Sequence, residues 1–212
     1  MISLESESDS SRSHEDMLQN QQYDGSRAHH TGFHIEVARK YGSDDQRVFE
    51  AFHAFFECLP LAHIVESLGN KRSMFVVHGG LFMEAGVTIA QLQRIRRRRG
   101  VPVECETVED RLFTQMMWAD PMPENGVRVN HERGDIPCAF GPDITRRFCQ
   151  DNNITFVVRS HQAQMAGYSS MHDSKLMTVF SACHYTHCRV RGKVEQSMGA
   201  VIIFNHDLTK DV

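Results

Sequence analysis

The apolar positions change period along the chain, and each change marks an element. Up to about residue 31 there is no sustained period; Ser, Asp, Glu, Gln and His dominate, as in MISLESESDSSRSHEDMLQNQQ. Such a segment buries too little apolar surface to offset the entropy of ordering, so residues 1–31 are expected to form a disordered polar tail. Val48, Phe52, Phe55, Phe56 and Leu59 then recur at helical spacing, behind a capping box of Ser43 and Gln46, until Pro60 stops the helix. Period two takes over in AHIVE (62–66) and SMFVV (73–77), which the turn signal Gly69-Asn70 joins as a predicted β-hairpin.

Thr88 and Gln91 repeat the capping-box pattern ahead of Ile89, Leu92 and Ile95, with Gly100 and Pro102 as stop signals. A further helix is expected up to Trp118, with Trp118, Met116 and Met117 in the core, and residues 120–133 as loop. Pro142 suits a first helical position, Ile144, Phe148 and Cys149 supply a narrow stripe, and Asn152-Asn153 reads as the C-cap. ITFVVR (154–159), LMTVF (176–180) and AVIIF (200–204) read as strands, the second after the polar turn HDSK. Helices interleaved with apolar strands predict a layered α/β domain over residues 32–212, with the loops after the strands as the place for chemistry.

Composition narrows the function by exclusion. With 212 residues and a formal charge of -4, nothing in the chain as a whole pulls it toward nucleic acid or an anionic membrane. The basic run RIRRRRG (94–100) sits where a helix end is predicted, and a solvated C-terminal turn accounts for it. No secretory signal is expected from the chain's N-terminal residues, and there is no apolar run of about 18 residues. The six cysteines lack the dense spacing of a secreted disulfide scaffold, which points to reduced thiols in the cytoplasm or nucleus.

Two histidines carry candidate chemistry. His78, in FVVHGGLF, and His161 each follow an apolar strand, and pairing of those strands would bring two imidazoles together as part of a metal site. The two glycines after His78 would let the backbone turn sharply and leave room for a ligand. Taken alone, each histidine reads first as a rim residue hydrogen-bonded to a neighbour, and position alone does not overturn that. Cys183, His184, His187 and Cys188 are zinc-type residues, but their crowded spacing suits an exposed loop better than a closed tetrahedral site.

The wider text is more specific. VVHGGLF, MWADPMP, ERGDIPCAFGPDITRRF, NNITFVVRSHQAQMAGY and LMTVFSA with Tyr185 follow one another at separations that resemble the phosphoprotein phosphatase family of Ser/Thr protein phosphatases, over roughly residues 32–204. The resemblance implies a calcineurin-like metallophosphoesterase fold, layered β-sheets flanked by helices. It implies metal-dependent hydrolysis of phosphoserine and phosphothreonine at a centre of two divalent ions (manganese, iron or zinc), which activate a water for in-line attack. Residue by residue, His78 and His161 match two ligands of one metal, Arg133 matches an arginine that grips the substrate phosphate, and Tyr185 matches a tyrosine beside the same phosphate. A guanidinium suits that grip because its planar fork meets phosphate oxygens in pairs.

The sequence also departs from the family. The motifs G-D-x-H-G, G-D-x-x-D-R-G and G-N-H-E, which supply the other metal, the bridging aspartate, a second phosphate-binding arginine and the catalytic acid, do not occur. The expectation is a partial fold with its N-terminal half missing, inactive alone. The partners implied are a phosphoprotein substrate or a regulatory protein, and self-association through exposed strand edges. The alternative is a pseudophosphatase that binds phosphorylated peptides or acts as a scaffold. Around Tyr185 the family's APNY appears as Ala182-Cys183-His184-Tyr185, followed by roughly six extra residues before Gly199.

Overall fold

Residues 33–102, 104–131, 138–185, 187–190 and 193–211 are described by a computed structural model. The expected tail and Arg133 lie outside the described residues. The chain divides into two compact units, one running up to Pro60 and including Arg96–Val101, the other made of Leu61–Ile95 and Pro102–Val212.

In the first unit α1 (Phe33–Tyr41) leads through a short 3-10 turn, Gly42–Asp44, into α2 (Asp45–Phe56). The capping box expected at Ser43 does not form. Ser43 lies inside the 3-10 turn, Asp44 holds the N-cap position without a side-chain cap bond, and Gln46 turns to Glu50 at 3.0 Å. The buried stripe of α2 is Phe49, His53 and Phe56, while Phe55 is 54% exposed. The face is rotated because α1, which the period did not reveal, offers Phe33; its ring lies 5.9, 5.3 and 6.0 Å from those of Phe49, Phe52 and Phe56. Burial pushes the His53 imidazole down to about 4. Arg97 donates to Leu59 O and Phe56 O, each at 2.6 Å, and so satisfies carbonyls left over at the end of α2.

The second unit contains β1 (Ala62–Glu66), β2 (Ser73–Val77), α3 (Ile89–Leu92), α4 (Val108–Trp118), β3 (Asp120–Pro121), β4 (Val127–Val129), β5 (Cys138–Phe140) and α5 (Pro142–Asp151). It continues with β6 (Phe156–Arg159), β7 (Tyr168–Met171), β8 (Leu176–Val179), β9 (His187–Val190), β10 (Lys193–Gln196), β11 (Ile203–Phe204) and β12 (Lys210–Asp211). Five strands form one sheet in the order β1-β2-β6-β8-β7. The predicted hairpin is its edge, Ala62 opposite Val77 and Glu66 opposite Ser73. β2, β6 and β8 run parallel in the middle.

Alternation along those strands builds two cores. Phe75, Val77, Val157 and Leu176 face one side, where α4, β5 and α5 contribute Leu112, Met116, Phe140 and Phe148. Met74, Phe156, Val158, Met177 and Val179 face the other, covered by Ala200, Ile202, Phe204 and Leu208. Strands buried on both faces are why FVV and ITFVV read as continuous apolar runs.

Four expectations need correction. α3 keeps its Thr88–Gln91 capping box but ends at Leu92; continuing it would stack like charges at Arg94 and Arg98, one turn apart. Residues 120–133 are not all loop, because β3 and β4 flank β5 in a three-stranded sheet. Strands of two and three residues are too short for a period to show. Of AVIIF only Ile203–Phe204 is strand, paired with β12. The exposed loop expected around residues 183–188 runs into a hairpin of β9 with β10.

Candidate metal and phosphate site

Because β2, β6 and β8 are parallel, their C-terminal ends share one edge of the sheet, and the segments after them leave from it. His78 follows β2, Ser160-His161 follow β6, and the segment to Tyr185 follows β8. The Ser160 N–H donates to His78 O at 3.1 Å, which ties the first two ends together. His161 Nδ1 then stands 3.2 Å from His78 Nε2, with the rings inclined at 63°. Two residues far apart in sequence thus meet as their strands predicted. His161 is buried and holds φ 65, a left-handed conformation uncommon for a residue with a Cβ. Trp118, read as core, meets the His161 ring edge-on with centroids 5.2 Å apart.

The glycines after His78 answer to a neighbour rather than to a turn. A Cβ on Gly79 would lie 2.5 Å from Met117 C and Trp118 N, and one on Gly80 would lie 2.3 Å from Phe140 Cε1. Their N–H groups donate to Met116 O at 2.6 Å and Gln115 O at 3.3 Å, carbonyls at the end of α4. The loop that carries His78 is therefore bonded to a helix terminus at backbone contact distance.

Behind the histidines lies a buried ion pair between residues that no motif in the sequence links. Arg159 is 1% exposed and its Nη2 donates to Asp120 Oδ1 at 2.9 Å. Asp120 Oδ2 accepts from Asn130 at 3.0 Å, shortly before Arg133 in the chain. The signal was a charge ending a strand buried on both faces, in FVVR, where a buried counter-charge is required. Cys138 opens β5, the strand paired with β3, and donates to Gln115 Oε1 at 3.3 Å; burial pushes its thiol up to about 12, so it stays protonated.

Tyr185 is held after β8 by its N–H, which donates to Ser197 Oγ at 3.0 Å, and by its ring, edge-on to Phe180 at 4.8 Å. The adjacent His184 takes φ 61 and donates to Ser197 O at 2.7 Å. The side chains of His187 and Cys188 lie outside the described residues.

The histidine pair can be tested against a metal by its own spacing. Two nitrogens at ~2.0–2.1 Å from one tetrahedral ion stand about 3.3 Å apart. The observed 3.2 Å fits a hydrogen bond between the two imidazoles, and equally two ligands of a single divalent ion. It fits no more than that: among the described residues no group of three or more His, Cys, Asp and Glu is placed to hold a metal.

The family model for calcineurin-like phosphoesterases matches residues 13–165, well over half of the chain. The chain belongs to that family. The match starts within the segment read as a polar tail. Among its relatives, serine/threonine-protein phosphatase 5 of Solanum lycopersicum is 42% identical over 154 residues, which are 73% of this chain and 25% of the relative. Serine/threonine-protein phosphatase T of Schizosaccharomyces pombe is 37% identical over 180 residues, 85% of this chain and 34% of that one. A solved protein serine/threonine phosphatase from Saccharomyces cerevisiae, described as similar to human phosphatase PP5, superimposes with a TM-score of 0.66 at 35% identity. The superposition covers 81% of this chain and 46% of that chain. The calcineurin-like fold is thus present in part, and the chain spans about a quarter to a third of these curated relatives.

Proposed function

We propose that this chain carries the histidine and phosphate-grip side of a metal-dependent Ser/Thr phosphoprotein phosphatase site. The observation that supports it is the meeting of His78 and His161 at 3.2 Å, at the ends of adjacent parallel strands. In this reading both imidazoles hold one divalent ion, while Arg133 and the Tyr185 hydroxyl bind the phosphate of a phosphoprotein. When bound, the metal supplies charge neutralisation and an activated water. Manganese, iron and zinc all accept imidazole. The free thiols at Cys58, Cys105, Cys138, Cys149 and Cys183 fit a reducing compartment, the cytoplasm or nucleus. Among the described residues no helix is long and apolar enough to cross a membrane.

The carboxylates of a dinuclear centre are not in the sequence motifs that would bring them, and two imidazoles offset the dehydration of a divalent ion poorly. The chain should therefore hold at most one equivalent of metal, weakly. Element analysis after dialysis against manganese or zinc tests this. One labile equivalent, absent in His78→Ala and His161→Ala, supports the reading; two tightly held equivalents contradict it. A second reading, a pseudophosphatase that binds phosphorylated peptides through Arg133, is favoured by the same missing motifs. Metal loss without loss of phosphopeptide binding in His78→Ala, measured by calorimetry, would select it.

A further inference from the structure

Resting on the reading of His78 and His161 as ligands of one ion, we propose that Arg159 is a positioning residue that sets the separation of the two imidazoles. It ends β6 on the same face as Val157, and among the described residues its guanidinium reaches four anchors. Nε donates to Gly79 O at 2.5 Å, Nη2 to Ala119 O at 3.1 Å and to Asp120 Oδ1 at 2.9 Å, and Nη1 to Gln162 Oε1 at 3.1 Å. Gly79 adjoins His78, and Gln162 adjoins His161. One rigid plane is therefore bonded beside both ligands at once.

Stability alone is a poor reason for this group. Burying an arginine and an aspartate costs about as much as their attraction returns, and a well-packed apolar pair of similar volume often does as well. What a guanidinium gives that an apolar side chain cannot is a fixed angle between donors. That angle matters because His161 holds φ 65, and a strained residue keeps such a conformation only where its surroundings over-determine it. The Ser160 bond to His78 O and the Arg159 bond to Gln162 bracket His161 on both sides. Asp120 fixes the guanidinium in turn and, through Asn130, anchors the strand end that leads to Arg133.

The test titrates zinc alone by calorimetry, and records the visible spectrum of bound cobalt(II), for the parent chain, R159M, R159K, the charge-neutral pair D120N/R159M, and Q162A. Each is measured below its own unfolding transition, checked by circular dichroism. Q162A cuts one bond without stranding a buried charge, and the neutral pair removes both charges together, so folded material is available. The expected result is a loss of zinc affinity of about tenfold or more in R159M and D120N/R159M, a smaller loss in the same direction in Q162A, no rescue by lysine, and a shifted cobalt band. Parent-like zinc affinity and cobalt spectrum in the folded variants overturn the proposal alone. Absence of zinc binding by the parent, or parental affinity in H78A and H161A, overturns the reading of the pair and the proposal with it.

Discussion

Gly79 has no side chain because the end of α4 comes within bonding distance of its backbone. The atoms a Cβ would meet, Met117 C and Trp118 N, belong to the main chain and cannot rotate away. Gly79→Ala should therefore destabilise the fold by about 1–3 kcal/mol or more, the range for overpacking a filled interior. A lowered denaturation midpoint in urea checks this, and a parental midpoint would show that α4 can move. The same position shows how far residues can be read without a fold. HGG suggested a sharp turn with space for a ligand; neither glycine has positive φ, and the space belongs to a helix. The meeting of His78 and His161 was legible because each follows an apolar run. Arg159 was not, since its partner Asp120 sits on another sheet and only the fold brings them within 2.9 Å.

Elements of five or more residues with a clear period came through in the sequence: the β1–β2 hairpin, α4 near Trp118, and α5 behind Pro142. β3 and β4 did not, because two or three residues carry no period and are stabilised by neighbours; α3 was legible from its Thr88–Gln91 capping box, but not its early end at Leu92. α2 has a different buried face from the one its apolar spacing predicts, because α1 brings Phe33 against it and the buried stripe includes the polar His53. It is buried against the rings of Phe33, Phe49 and Phe56. That burial has a pH signature. The folded imidazole titrates near 4 against an ordinary 6.5, so the unfolded chain binds the proton first as pH falls. The stability His53 contributes is complete above about pH 6.5 and is lost as pH drops toward 4. His172, buried between Thr145 and Met122, is shifted the same way by burial and adds to the slope. Urea midpoints at pH 7 and pH 5 for the parent and His53→Phe isolate the first effect. The parent should lose more stability than the variant between those values; equal losses would mean that His53 is not buried neutral.

At the scale of the molecule, surfaces remain that a water-facing domain would make polar. β1 is an edge strand whose Ile64 and Val65, on opposite faces, are each 37% exposed. Val201 and Ile203 are 80% and 69% exposed, beside Ile202 and Phe204 that pack inward. Open edges and apolar rows favour association, so light scattering on the purified chain should give a mass above 24.2 kDa. A stable monomer at micromolar concentration would show these rows to be tolerated. Two imidazoles alone do not make a catalyst. Phosphate monoesters hydrolyse extremely slowly without catalysis, so turnover requires metal-activated attack, charge neutralisation and protonation of the leaving oxygen together. The most direct measurement is hydrolysis of p-nitrophenyl phosphate by the purified chain with added manganese. The chain should turn over no faster than the His78→Ala and His161→Ala variants; metal-dependent turnover that disappears in both variants would mean that the chain holds a complete site.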